Sequence, residues 1–136
     1  MTIINPLDLD ALHLAGGSHP DHDAMCVMEA VAFTAGEDWT DAPACVSPVI
    51  RQFCIGWNDA LGDDDRDRIL KPFITKVIGT NTGPDDDLVR SWMCIDFQAR
   101  VSAPAWLRLA GLGGRAAELE SLAPIVDGVS ARVAQP

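Results

Sequence analysis

Between His19 and Cys45 the chain gathers most of its residues able to do chemistry. His19-x-x-His22-x-x-x-Cys26 places two imidazoles and a thiol within eight residues, and Cys45 could supply a fourth donor. Nitrogen and sulfur donors in this number are the set zinc takes, so the spacing predicts a metal site of His19, His22, Cys26 and Cys45 with zinc as its ion. The spacing is not that of a zinc finger, and no Cys-x-x-Cys pair is present. The same residues permit a second chemistry. Cys26 at the start of a helix could act as a nucleophile with His19 or His22 as base, and Asp21, Asp23 or Asp41 could orient that base. Papain-like and transglutaminase-like enzymes use such an arrangement but carry sheet and a distant histidine, and here no histidine follows His22. The surrounding acids would raise the thiol pKa. The alternative is a Cys26 buried as a small apolar residue.

Glu29 stands alone among apolar neighbours, so its carboxylate must find a partner. A structural ion pair with Arg51, or with Arg100, is the expectation. Trp39 lies between Asp38 and Asp41 in an acidic loop, where these three residues could form an anchor for a partner protein. The clusters Asp63-Asp64-Asp65 and Asp85-Asp86-Asp87 allow a further reading, an acidic mimic of nucleic-acid phosphate that occupies a DNA-binding partner's groove. They also suit helix N-termini, where acids meet the positive end of the dipole.

The elements that must hold these residues read as helices. From Ala24 to Ala35, with Asp23 as N-cap and Gly36 as stop, nearly every position is apolar on every face, which predicts a buried central helix. Ser47-Pro48 opens a second helix running to about Leu61, with apolar residues at three- and four-residue steps. Asp63 opens a third to about Leu70, and Pro72 starts another to Ile78. A long helix follows Pro84 with Leu88, Trp92, Ile95 and Ala99 in spacing, then short ones over 104–110 and 115–122. Packing of the first helix on the later ones would bury Trp57, Trp92 and Trp106, and Cys54 and Cys94 read as core. The expected fold is all-α: one irregular domain of about five to seven short helices around the helix at 24–35, with little or no sheet. Residues 1–15 form a leader packed on that domain, 16–126 the domain itself, and 127–136 a loosely held tail.

Composition sets further bounds. The 136 residues suffice for one core, and 48% of them are hydrophobic, which excludes disorder. No apolar run is long enough for a membrane span and the N-terminus lacks a basic signal-peptide start, so a soluble, cytoplasmic protein is expected. Reduced thiols are then expected, and Cys26 with Cys45 is the pair to consider if a disulfide forms. The formal net charge is -10, and the first fifty residues carry eight acids and no Lys or Arg. Such a segment repels nucleic-acid phosphate and attracts cations or basic proteins.

The run Met25-Cys26-Val27-Met28-Glu29-Ala30-Val31-Ala32-Phe33 is followed by Ala35-Gly36-Glu37, Cys45-Val46-Ser47-Pro48-Val49-Ile50, Phe53 and Trp57-Asn58-Asp59. With the later Pro104-Ala105-Trp106-Leu107, this pattern resembles a family of small hypothetical proteins from actinobacteria and their phages, over residues 16–126. The resemblance implies a one-domain protein of a bacterial or phage-infected cytoplasm and carries no activity. The expected role is therefore a protein-binding module. A small enzyme or metal protein using Cys26 with His19 and His22 is the alternative, and the acidic mimic a third.

Overall fold

The computed structural model describes residues 4–134. It is all-α, with no strand among the described residues. Its helices are α1 (Val27–Ala35), α2 (Pro48–Ala60), α3 (Asp63–Leu70), α4 (Pro84–Phe97), α5 (Ala103–Leu109), α6 (Gly113–Glu120) and α7 (Gly128–Val133). The chain divides into two compact units, Met1–Gly83 and Pro84–Pro136.

In the first unit α1 is the buried centre. Val27, Met28, Ala30, Val31 and Ala32 are fully enclosed, and Val46, Cys54, Leu70, Ile74, Val77 and Ile78 complete one apolar cluster with Leu14. Each such valine, leucine, isoleucine or methionine stabilises the fold by roughly 1.5–3 kcal/mol. Both ends of α1 are sealed. At the C-terminal end Gly36 takes φ 72°, a left-handed turn that lets its N–H and that of Glu37 return to Phe33 and Ala32. The Ile4 and Asn5 N–H groups donate to the Thr34 carbonyl, and the Asn5 side chain to that of Phe33.

The N-terminal end of α1 differs from expectation. The helix starts at Val27 and Cys26 is its N-cap, so neither Asp23 nor the residues from Ala24 belong to it. The reason is a capping box: Cys26 Sγ accepts the Glu29 N–H at 3.5 Å while the Glu29 carboxylate accepts the Cys26 N–H at 2.7 Å.

The remaining helices tie residues 7–15 to this centre. Ser47 caps α2 and Pro48 is its first residue, as the sequence indicates. At the far end of α2, buried Arg66 of α3 donates to the carbonyls of Asn58, Leu61 and Leu14 and pairs with Asp63. One guanidinium thus satisfies the helix end and fastens the N-terminal segment. Asp67 accepts the Leu14 N–H and faces His13 and Lys71. The helix expected from Pro72 to Ile78 is absent. A 3-10 turn at Lys71–Phe73 gives way to successive turns, bonded from Lys76 and Val77 to Phe73 and from Thr80 to Val77.

In the second unit α4 continues through a π-helical turn, Gln98–Ser102, directly into α5, against which α6 packs. Arg108 on α5 pairs with Glu120 at the end of α6. The expected tail contains a helix, because Asp127 caps α7 by accepting the Val129 and Ser130 N–H groups. This unit hides little: Pro104, Ala116 and Ile125 are its buried residues among those described. Trp106 is 70% exposed, and Trp57 in the first unit and Cys94 in the second are also exposed, contrary to the core positions expected for them. Cys54 is buried as expected.

Candidate functional site

Of the residues singled out in the first unit, His19 and Cys26 converge on Glu29. Glu29 is 1% exposed, and its two oxygens are fully engaged. Oε1 accepts the His19 N–H at 2.6 Å. Oε2 accepts the Cys26 N–H and lies 2.8 Å from His19 Nδ1. Burial pushes this carboxyl up, but the hydrogen bonds from Cys26 and His19 outweigh it and hold the group below its ordinary value. The expected ion pair with Arg51 is therefore replaced. The chain between His19 and Cys26 folds back over the start of α1, and its donors occupy both Glu29 oxygens.

The four expected metal ligands are each engaged by other groups, two of them by Glu29. His19 is held by Glu29, and its carbonyl accepts the Trp39 indole N–H at 2.8 Å. His22 packs its ring 4.1 Å from that of Trp39 and edge-on to Phe33. Cys26 caps α1, and Cys45 lies against Glu37, whose carboxylate accepts the Ala44 and Cys45 N–H groups. Among the described residues no three His, Cys, Asp or Glu side chains are placed to hold a metal ion. Trp39 is consequently half-buried within this cluster and is not the exposed anchor expected, whereas Asp38 is exposed.

Cys26 also borders a pocket of about 290 Å³ with Ser18, Asp41, Ile55, Asn58 and Asp59. Asn58, almost fully buried, accepts the Val27 N–H and donates to the Ala15 carbonyl, so it caps α1 a second time. Asp59 accepts the Gly17 N–H, and that bond, with one from Asn58, lowers its pKa. Burial, reinforced by the Glu29 charge, pushes the Cys26 thiol up to about 12. The thiolate needed for attack is then scarce at neutral pH, and Cys26 serves as a cap and core residue. All four cysteines are free thiols.

A second feature lies on the other unit, along a helix whose apolar spacing points to core. A groove of about 310 Å³ runs beside α4. Val89, Met93, Phe97 and Val101 form one wall, and Ile125 and Val126 the other. Asp96 stands at the junction, where Oδ1 accepts the Ile125 N–H at 2.8 Å and faces Arg100 at 3.2 Å. Val89, Met93, Phe97, Val101 and Val126 are all more than half exposed. Their spacing of four residues was a signal in the sequence. It marks a second apolar face on α4 beside that of Leu88, Trp92 and Ile95, more than a helix covered on one side requires. No helix among the described residues is long and apolar enough to cross a membrane. Comparison with known protein families, with characterised proteins and with solved structures finds no match for this chain.

Proposed function

We propose that this protein is a small protein-binding module whose docking face is the groove along α4, with the first unit as its rigid, acidic body. The observation that supports this is the uneven distribution of apolar surface. Large exposed hydrophobics concentrate after Pro84, from Leu88 and Met93 to Leu109 and Val133, while the buried core lies in the first unit. Contiguous exposed apolar surface rimmed by polar groups is the mark of an interaction site. Two arginines beside it already pair within the unit, Arg90 with Asp87 and Arg100 with Asp96. The face therefore offers apolar contact and shape. The resemblance noted above would place this activity in a bacterial or phage-infected cytoplasm.

A photo-reactive residue at Met93 tests the proposal in protein produced in a bacterial host. Light-dependent adducts are expected from that position and not from the same residue at exposed Asp64 on α3. Equal labelling at both positions, or none at Met93, would remove the groove as a docking face.

A further inference from the structure

Resting on that reading, we infer that the partner on the α4 face is a second copy of this chain, bound antiparallel about a two-fold axis at Met93. In such an arrangement residues equally distant from Met93 meet across the axis. Val89 then lies opposite Phe97, Arg90 opposite Asp96, and Asp86 opposite Arg100. In these three pairs apolar meets apolar and charge meets its opposite, whereas Val101, eight residues beyond Met93, falls opposite Asp85 at the margin of the contact. Within α4, the residues of this set all fall on the side of the helix that carries the groove, because steps of three and four residues keep to one face. Arg90, Asp96 and Arg100 already pair along the chain with Asp87 or with each other, so the axis adds opposite charges beside pairs that exist.

Charge favours this occupant over a basic protein. Of the chain's acids and bases, thirteen and five precede Pro84 and seven and five follow it. A basic partner would be drawn to the first unit, whereas the face on α4 is close to balanced and complementary to itself. The helix dipoles also oppose one another in an antiparallel pair. Five half-exposed side chains of on the order of 100 Å² each, with their flanking arms, come close to the lower limit of specific interfaces, about 600 Å² per partner. A dimer of roughly micromolar affinity is the expected result.

The test uses the full chain in sedimentation velocity, at concentrations from about a twentieth of that dissociation constant to about a hundred times it. The wild type is expected to shift from monomer to dimer. Val89→Lys and Phe97→Glu should each weaken association about a hundredfold, because each homodimer would carry two charges in apolar contact. Mixing the two variants should restore a heterodimer, in which Lys meets Glu at one contact and native Val89 meets native Phe97 at the other. Circular dichroism is expected to be unchanged in both, since the residues are exposed. In a Cys94→Ser background, Met93→Cys should form a disulfide between chains on mild oxidation, each thiol losing its proton and one electron to the oxidant. Variants that stay monomeric when mixed would overturn the antiparallel register. A wild type that stays monomeric while Met93 labels a different protein would overturn self-association and leave the docking face standing. A monomer with no Met93 adduct would end both.

Discussion

Glu29 shows how a single residue can be structural and look functional. An isolated carboxylate on an apolar helix next to two histidines and a cysteine has the composition of an active site, yet here it receives the Cys26 and His19 N–H groups and the His19 ring. Glu29→Gln presents an amide N–H₂ to one of those donors and leaves it unpaired. A loss of about 2–3 kcal/mol in urea unfolding at neutral pH is expected. The pH dependence has a definite sign. The folded-state pKa lies below the ordinary 4.5, so the unfolded chain takes up the proton first as acid is added. The stabilisation is complete above 4.5 and is lost as pH falls through the folded value. Asp67 and Asp59 are lowered too, the first by bonds from Leu14, His13 and Lys71 that outweigh its burial, so some acid sensitivity remains in the variant. The Gln protein should therefore lose less stability than wild type on acidification, and equal losses in the two would remove Glu29 from the pH response.

At the scale of elements, the helix ends carry the information. α7 has only six residues and no buried side chain, and a capping box between Asp127 and Ser130 fixes its start. Asp127→Ala removes the acceptor for two N–H groups at a local cost of about 1 kcal/mol. Hydrogen exchange should quicken over 128–133 while α1 amides stay protected, and an unchanged rate in α7 would mean that other contacts hold it. The sequence made the elements legible where a pattern is local. The all-apolar run of α1, the Ser47-Pro48 start of α2 and the acids opening α3 and α4 all announce themselves. The N-cap of α1 was misplaced because Asp23 is the better capping residue by type, whereas the pairing of Cys26 with Glu29 is decided by the fold of the preceding loop. Asp127 followed three residues later by Ser130 was missed because serine is not the usual partner in a capping box. The cluster around Glu29 was located but its wiring was not, since the path from Gly16 to Cys26 has no periodicity. The α4 face is not legible in the sequence because an apolar helix reads as core whether its cover comes from its own chain or from another.

At the scale of the whole molecule, the division after Gly83 separates a unit with a core from one with little of its own. Every residue of the buried apolar cluster lies between Leu14 and Ile78. The bonds that close it, from Arg66 to Leu14, from Asn58 to Ala15 and from Ile4 to Thr34, lie within the first unit. A chain cut after Gly83 keeps them all. Beyond Pro84 the buried residues among those described are Pro104, Ala116 and Ile125, of which the isoleucine contributes roughly 1.5–3 kcal/mol, against an ordering cost of about 1–2 kcal/mol for every residue fixed. Residues 1–83 are therefore expected to unfold cooperatively, at a denaturant midpoint near that of the full chain's main transition. Residues 84–136 alone, kept dilute, should show helical signal without a cooperative transition and should gain one as concentration rises, since association supplies the missing burial. A fragment 1–83 without a cooperative transition would show that the first core depends on the later helices. In that case the cover that α4 lacks would be sought within this chain rather than in a second copy.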